Sequence, residues 1–386
     1  MKKFLFIGLV CLTYIGCAQE VDVGEVVRAS EAQVGLLLEE THRLADAERV
    51  SPRTLDPDGR LVLVPPSDWT SGFFPGVLWQ LYEFTGHEKW LGEARKATVK
   101  LANEKYNGRT HDMGFKIYCS FGQGYRLTGD TAYRSTIIQA AQTLATRFNP
   151  VVGCIRSWDH NSHRWDFPVI IDNMLNLELL FAATRLTGDS SFYDIAVSHA
   201  NTTLKNHFRP DGGTYHVVDY NPETGEVEHR NTHQGYSDMS TWARGQAWAL
   251  YGYTMCYRET NDQQYRRKAL EIAQWLMKHP HMPEDGVPYW DFDAPRIPDE
   301  PRDASAAAII ASALYELSTF DADNDTFRSF ADRIIRSLVT SYTADAETHH
   351  GFILLHSTGS KPADSEVDVP LIYADYYFLE ALRRKR

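Results

Sequence analysis

Two aspartates stand where helices are predicted to begin, and each is followed by apolar residues. Asp172 comes directly after the apolar run "PVII" at 168–171, and Asp112 opens a similar stretch in "THDMGF". A carboxyl group in such a setting must be paired, hydrogen-bonded or kept protonated. Two carboxyl groups at one site suit acid-base work on a glycosidic or enol ether bond. The alternative is that each aspartate caps its helix.

The segment 212–248 carries a second set of candidates. Arg244 and Trp248 are four residues apart, so they share one face of a helix. An arginine can hold a carboxylate through two parallel hydrogen bonds, and a tryptophan can stack on a sugar ring. A structural ion pair is the alternative for Arg244. Further polar candidates in this segment and in the preceding loops are His111, His216 and Gln234.

Other kinds of chemistry lack their sequence signals. The chain contains no HExxH motif, no cysteine cluster and no carboxylate cage, so we expect no metal. It also has no phosphate-binding loop, dinucleotide fingerprint or nucleophile elbow, so we expect no cofactor. The formal net charge of −12 makes the protein a poor binder of nucleic acid.

The first seventeen residues are typical of a secretion signal. Two lysines precede an apolar run that ends at Gly16-Cys17, which predicts a signal peptide over 1–17 and a lipid-modified Cys17. An ordinary signal peptide cut near Ala18 is the alternative. Either reading predicts a bacterial cell-envelope protein, periplasmic or at the outer membrane. With a lipid-modified Cys17, that N-terminal lipid is its only expected membrane contact. Loss of Lys2 and Lys3 would take the net charge to −14.

A turn motif repeats along the chain and predicts helical hairpins. "FTGHEKW", "LTGDTAY", "LTGDSSF" and "ETNDQQY" each place Gly or Asn where one helix ends and an aromatic residue in the next helix, and "FDADNDTF" is a looser copy. Helices are expected over 25–48, 73–85, 89–104, 114–127, 131–147, 169–186, 190–207, 241–259, 263–278, 303–318, 324–342 and 370–384. Twelve helices in six hairpins predict an all-α fold, an (α/α)6 barrel, as one catalytic domain over 25–386. A helical solenoid is the alternative.

The chain resembles the unsaturated glucuronyl hydrolases of glycoside hydrolase family 88. The resemblance runs from about residue 30 to the C-terminus and is carried by "SDWTSGFFPGVLW", "THDMGF", "IIDNMLNLELL", "GGTYHVVDYNPETGEV", "THQGYSDMSTWARGQAW" and "VPLIYADYYFLEAL". It implies an (α/α)6 barrel that acts on oligosaccharides made by polysaccharide lyases, such as glycosaminoglycan fragments. Such an enzyme hydrates the C4=C5 bond of the terminal 4,5-unsaturated uronic acid, after which the sugar is released.

The resemblance also implies roles for individual residues. Asp172 would be the general acid and base, and Asp112 the second aspartate, which steadies the first. The implied substrate-binding residues are Trp69, His111, Trp158, His216, Gln234, Arg244, Trp248, Ser360 and Lys361. Trp165 competes with Trp158, and the run "HSTGSKPADSEVD" that holds Ser360 and Lys361 departs from the family's sulfate-contacting pattern. The alternative functions are an unsaturated rhamnogalacturonyl hydrolase acting on pectin fragments and a non-catalytic glycan-binding lipoprotein.

Overall fold

A computed structural model describes residues 20–320 and 325–386. In this part of the chain twelve α-helices form two concentric rings. Their bounds are α1 Val23–Leu44, α2 Phe73–Thr85, α3 Glu88–Val99, α4 Gln123–Thr128, α5 Thr131–Ala145, α6 Leu177–Thr187, α7 Ser191–Asn206, α8 Ala243–Thr260, α9 Gln263–Lys278, α10 Ala304–Thr319, α11 Thr326–Ser341 and α12 Ile372–Lys385. The predicted all-α barrel is therefore observed.

The inner ring consists of α2, α4, α6, α8, α10 and α12, and it closes because α12 packs against α2. The helices α3, α5, α7, α9 and α11 cover this ring from outside, each beside its inner partner. The sixth outer position is filled by α1. Its Glu31 accepts a hydrogen bond from Trp90 of α3, and its Gln33 donates to the carbonyl of Phe352 beyond α11. A closed ring excludes the solenoid alternative.

The repeated turns have the predicted conformation. Gly86, Gly129, Gly188 and Asn261 end their helices with φ between 58° and 77°, a region that glycine and asparagine tolerate best. The aromatic residue that follows each turn is buried in the core: Trp90, Tyr133, Phe192 and Tyr265. Each turn thus reverses the chain and its aromatic residue fixes the outer helix. The looser fifth copy lies partly outside the described residues.

Two inner helices depart from the predicted form. The stretch predicted at 114–127 begins as a π-helix over Gly114–Gly122 and becomes α4 afterwards. The stretch predicted at 169–186 begins as a strand and a 3-10 turn, Ile171–Asn176, before α6. Asp172 therefore lies in a 3-10 turn and not in an α-helix. No side-chain cap is formed at the start of either segment, so the helix-cap explanation of the two aspartates fails.

Short strands, which the sequence analysis did not predict, shape the loops at one end of the barrel. β1 Ser51–Leu55 pairs with β2 Leu61–Val64, and β3 Phe148–Asn149 with β4 Cys154–Ile155. A three-stranded sheet is formed by β5 Pro168–Ile170, β6 Val217–Tyr220 and β7 Val227–Asn231, and a hairpin by β8 Ser357–Ser360 and β9 Ser365–Val369. We call this end the mouth and the opposite end the closed end.

Every inner helix begins at the mouth and runs toward the closed end. The outer helix α1 runs the other way, so the described chain starts at the closed end, where Glu20 lies 4.0 Å from Lys385. The predicted signal segment 1–17 and Cys17 lie outside the described residues. No helix among the described residues has the length and apolar character needed to cross a membrane.

Candidate active site

The mouth loops surround a cleft on the barrel axis, whose empty space together with the open solvent at its entrance is roughly 880 Å³. It is lined by Arg53, Trp69, His111, Asp112, Phe115, Trp158, His160, Ile170, Asp172, His233, Gln234, Arg244, Gly359, Ser360, Ala363, Ser365, Glu366 and Tyr373. The residues nearest the barrel axis, such as Phe115 and Tyr373, are buried, whereas His160 and Ser365 at the rim are exposed. The cleft is therefore a dead end that can receive one end of a chain.

Asp172 lies at the base of this cleft. The strand β5 and the 3-10 turn after it set the carboxyl group among apolar neighbours, and only 9% of the residue is exposed. Burial raises the pKa of Asp172 to about 7, and the charge of Asp112 adds to this rise, while Arg244 and the Trp248 indole oppose it. Its Oδ2 atom has no hydrogen-bond partner in the described chain. Asp172 can thus hold a proton near neutral pH and is free to release it.

His216 faces Asp172 from the start of the strand β6. Its Nδ1 accepts hydrogen bonds from the backbone N–H groups of His233 and Gln234, both at 3.2 Å. Burial holds the pKa of His216 well below its ordinary value, so the ring is neutral. The ring hydrogen must then sit on Nε2, which lies 3.7 Å from Asp172 Oδ2. His216 can donate to Asp172 but does not itself line the cleft, in contrast to its predicted contact with the substrate.

Asp112 stands beside Asp172 and is held by its sequence neighbours. Its Oδ2 accepts a hydrogen bond from Thr110 at 3.0 Å, and its Oδ1 lies 3.2 Å from Nε2 of His111. The other ring nitrogen of His111 donates to the carbonyl oxygen of Ser157. Burial lowers the pKa of His111, so this ring too is mainly neutral. Both residues line the cleft.

Arg244 lies across the base, but its guanidinium is already occupied. Nη1 binds Asp303 at 2.9 Å and also donates to the carbonyl of Thr358, while Nη2 donates to the carbonyl of Gly359. Only Nε has no partner in the described chain. The ion-pair alternative therefore describes the protein contacts of Arg244. The guanidinium thereby holds the mouth loops together, and its two-pronged grip on a substrate carboxylate stays a prediction.

Comparison with known proteins decides what this barrel is. The profile described as Glycosyl Hydrolase Family 88 matches residues 53–379. A curated unsaturated glucuronyl hydrolase of Formosa agariphila is 54% identical over 325 residues, which are 84% of this chain and 81% of that protein. The chain belongs to glycoside hydrolase family 88. The predictions of the family, of an enzyme and of an unsaturated glucuronyl hydrolase are confirmed.

Two solved structures extend this result. An unsaturated glucuronyl hydrolase specific for heparin superposes with a TM-score of 0.90 at 45% identity, over 94% of this chain and 97% of that one. A variant of the Streptococcus agalactiae enzyme complexed with dGlcA-GalNAc6S superposes with a TM-score of 0.78 at 29% identity, over 96% and 94%. The quoted relatives all carry names of the glucuronyl branch rather than the rhamnogalacturonyl one.

The aromatic residues of this family 88 cleft are only partly those predicted. Trp69 lines it and packs on Tyr373, with ring centroids 5.0 Å apart. Trp158 lines it as well, while the competing Trp165 is buried behind it. Trp248 does not line the cleft, because Phe115 of the π-helix covers it. The stacking role of Trp248 stays a prediction, and in this structure its ring is fully buried.

The hairpin β8–β9 closes one side of the cleft. Ser360 lines it, and Gln234 ties it down by donating to the carbonyl of Gly359 at 3.0 Å. Lys361 does not line the cleft, although it was predicted to bind substrate. The 3-10 turn at the hairpin tip carries its ammonium to within 4.0 Å of the exposed Asp364.

Several lining residues were absent from the predicted site. Phe115 and Tyr373 belong to family segments, so the segments quoted above contained the signal. Arg53 and Glu366 lie 313 positions apart and meet only in the folded chain, so no local pattern could have paired them. His160 and His233 share the aromatic wall of Trp158. Among the described residues no group of three or more His, Cys, Asp or Glu could hold a metal ion.

Proposed function

We propose that this enzyme hydrates the C4=C5 bond of a terminal 4,5-unsaturated uronic acid, with Asp172 as general acid and general base. The observation that carries the proposal is the state of Asp172. It is buried, its pKa is raised to about 7, and its Oδ2 has no hydrogen-bond partner among the described residues. An enol ether needs a proton delivered to carbon, and a carboxyl group that titrates near neutral pH can both give and recover one.

The reaction follows from these positions. Protonated Asp172 gives its proton to C4, and the resulting charge at C5 is shared with the ring oxygen. Asp172, now a carboxylate, takes a proton from a water molecule whose oxygen bonds to C5. The product is a hemiketal, which opens and releases the next sugar. The nitrogen Nε2 of His216, which carries the ring hydrogen, lies 3.7 Å from Oδ2 of Asp172 and would stabilise the carboxylate between the two steps.

Asp112 and the unpartnered groups around the base would orient the sugar ring. Among the described residues, the side chains at the base that line the cleft and carry a buried polar atom without a hydrogen-bond partner include His111, Arg244 and Tyr373. Buried polar groups are normally hydrogen-bonded, so such a set supports a polar ligand at this place. The six inner helices also begin at the mouth, and the positive end of each helix dipole favours a uronate carboxylate.

The substrates would be short unsaturated fragments. The dead-end cleft supports an exo-acting enzyme, and the net charge of −12 disfavours long polyanions. The test is loss of absorbance near 235 nm, the band of the conjugated enol ether, over a panel of unsaturated disaccharides. Turnover of chondroitin or heparin fragments supports the proposal. Turnover of rhamnogalacturonan fragments alone would establish the pectin alternative, and binding without turnover would establish the non-catalytic one.

We further propose that the protein is a lipoprotein of the bacterial cell envelope. The support is the sequence of residues 1–17, with two lysines, an apolar run and Gly16-Cys17. In this location the enzyme would follow lyases that make unsaturated fragments. The test is fractionation of cells that express the full chain and its Cys17→Ala variant. Membrane association that is lost in the variant supports the proposal, whereas a soluble parent protein contradicts it.

A further inference from the structure

Two buried histidines at an outer helix face the segments that lead to Asp172. His199 lies on α7 and His207 directly follows that helix, and both are fully buried. The same buried face of α7 includes the apolar residues Phe192 and Ala196. The proposed reaction uses neither histidine. Apolar side chains would pack there at lower cost, so the two polar residues indicate a local requirement.

His207 holds the strand that leads to Asp172. Its Nε2 lies 3.0 Å from the carbonyl oxygen of Val169 in β5. Because a carbonyl oxygen can only accept, Nε2 carries the ring hydrogen and donates it. The backbone carbonyl of His207 accepts a hydrogen bond at 2.8 Å from the N–H of Tyr215, the residue before His216. His207 thus fixes the approach to both Asp172 and His216.

His199 holds the strand β4 at Ile155. Its Nδ1 accepts the backbone N–H of Ile155 at 3.0 Å, so its ring hydrogen lies on Nε2. The carbonyl oxygen of Ile155 accepts a hydrogen bond, also at 3.0 Å, from Nδ2 of Asn173. Asn173 directly follows Asp172 in the chain. Two hydrogen bonds through Ile155 therefore connect α7 to the residue beside Asp172.

The segment after β4 is bonded in turn to β5. The N–H of Ser157 donates to the carbonyl of Pro168 at 2.8 Å, and its Oγ accepts the N–H of Ile170 at 3.0 Å. A displacement of either strand is therefore passed to the other. Since β5 ends at Ile170, such a displacement reaches the 3-10 turn that carries Asp172.

Both histidine rings are neutral near neutral pH and act as fixed hydrogen-bonding groups. Burial lowers the pKa of His199 to about 3 and that of His207 to about 4. Within the described part of the chain, Nε2 of His199 and Nδ1 of His207 have no hydrogen-bond partner. Each ring thus uses only one nitrogen, the one that holds a strand next to Asp172.

We propose that His199 and His207 are positioning residues, which hold β4 and β5 from the outer helix and thereby keep Asp172 in its buried position. This inference rests on the proposed function, because it concerns the general acid and base of that reaction. A general acid must lie within hydrogen-bond reach of the atom that it protonates, so a small displacement costs rate.

The burial of Asp172 is the property that these contacts would protect. A loosened strand would let water reach the carboxyl group, and its pKa would fall toward the ordinary value. From the neighbouring elements Asp112 and Arg244 face Asp172 with their charges, and His216 faces it as a neutral ring. All three remain in the variants described next.

The experiment replaces His207 in two ways. His207→Leu removes the donor to Val169, whereas His207→Gln keeps an N–H group where Nε2 stood. Rates on an unsaturated disaccharide that the parent hydrates are followed by absorbance near 235 nm from about pH 5 to pH 9. In His207→Leu, kcat should fall about tenfold while KM changes less than about threefold. Its kcat/KM should begin to fall about half a pH unit or more below the parent's, and His207→Gln should restore most of both properties.

His199 provides a second, independent pair of variants. His199→Asn keeps an acceptor at the position of Nδ1, whereas His199→Leu removes it. The same difference between the leucine and the conservative variant is expected. Circular dichroism and thermal melting check that each variant folds, and the His199 pair decides the matter if His207→Leu does not fold.

The matched control removes a hydrogen bond of the same kind elsewhere in the barrel. Thr98 of the outer helix α3 accepts from Nε1 of Trp79 in the inner helix α2 at 2.9 Å, and both residues are buried. Thr98→Val should lower the melting temperature but keep kcat and its pH dependence, because this bond holds neither β4 nor β5. Leucine variants that behave like Thr98→Val would overturn the inference. Conservative variants that lose as much as the leucine variants would overturn it too.

The pH dependence of unfolding tests the inference without any turnover. Because the pKa of Asp172 is raised in the folded protein, its contribution to stability is lost as the pH rises from the ordinary carboxyl range to about 7. Urea unfolding of the parent and of Asp172→Asn gives this loss as a difference, which should be smaller when both also carry His207→Leu. An unchanged loss would contradict the inference, whereas a parent that hydrates no unsaturated disaccharide would contradict the proposed function.

Discussion

The two ends of the barrel use the same residue types in opposite ways. At the closed end, Arg384 binds Glu316 at 2.9 Å and lies 3.5 Å from Glu380, and Arg258 binds Glu178 and Glu316. Burial alone would raise the pKa of Glu380, but Arg384 and its neighbour lower it below the ordinary value. At the mouth, burial outweighs Arg244 and raises the pKa of Asp172 to about 7.

The difference shows what decides the protonation of a buried acid. Arg384 gives its charge to nearby carboxylates, whereas Arg244 gives its hydrogen bonds to Asp303 and two carbonyl groups. Asp172 therefore has a cation nearby without a direct bond to it. A buried carboxylate that binds an arginine directly contributes to the fold. A buried carboxyl group without such a bond keeps its proton and can use it in catalysis.

The largest effect is expected at Asp172. Asp172→Asn keeps the shape of the side chain but cannot cycle a proton, so turnover should fall at least about a hundredfold. The measurement is the rate at 235 nm, with circular dichroism to check folding. Asp375→Asn is the matched control, because Asp375 is buried with its pKa raised to about 7 but binds the backbone of Ile353 and Leu354. Activity of Asp172→Asn above about a tenth of the parent's would show that Asp172 is not the general acid and base.

At the closed end the expected effect is on stability. Arg384→Met leaves the buried Glu380 with only the 3.7 Å contact to Arg383 and leaves Glu316 with only Arg258, so the free energy of unfolding should fall by about 3 kcal/mol. Urea unfolding measures this change, and the kcat of the folded variant should stay at the parent value. The exposed Arg267 supplies the control, since Arg267→Met should cost less than about 0.5 kcal/mol. Equal costs for the two variants would contradict the comparison of the ends.

Arg244 links chemistry to stability, so its removal should affect both. Arg244 lowers the pKa of Asp172, and without it that pKa should rise. Since protonated Asp172 is the active form, kcat/KM of the parent should fall as the pH rises above about 7. In Arg244→Met this fall of kcat/KM should begin at a higher pH. The variant should also lose about tenfold or more in rate and melt at a lower temperature. If kcat/KM of the variant instead falls at the same pH as in the parent, or at a lower one, Arg244 does not act on the pKa of Asp172.

The smallest effect is expected at Lys361. Its ammonium lies near Asp364 and outside the cleft lining. Lys361→Ala should therefore change kcat/KM by less than about twofold for unsaturated disaccharides, whether or not their second sugar carries a sulfate. A tenfold loss confined to the sulfated fragment would place Lys361 in contact with substrate after all.

Local patterns in the sequence predicted the ring of hairpins because each turn motif is complete within about seven residues. Gly129, for example, ends one helix, and the aromatic residue four positions later anchors the next. The apolar run before Asp172 likewise predicted its raised pKa. These features depend on residues that are close together in the sequence, so they can be predicted from it.

Features that depend on distant partners were not predictable in this way. The pairing of Arg53 with Glu366 and that of Arg244 with Asp303 join residues far apart in the chain. The π-helix at Gly114–Gly122 has the same apolar pattern as an α-helix, yet it sets Phe115 over Trp248. The position of Lys361 outside the cleft lining was not predicted for a similar reason, since the direction of a hairpin tip depends on the whole fold.

The position of the chain's described start has a consequence for how the enzyme would be held. Glu20 lies at the closed end beside Lys385, three residues after Cys17 in the sequence. The proposed lipid on Cys17 would attach the barrel to the membrane by its closed end. The mouth would then face away from the membrane. Fragments would then reach the cleft by diffusion from outside, and the anchoring surface would not obstruct them.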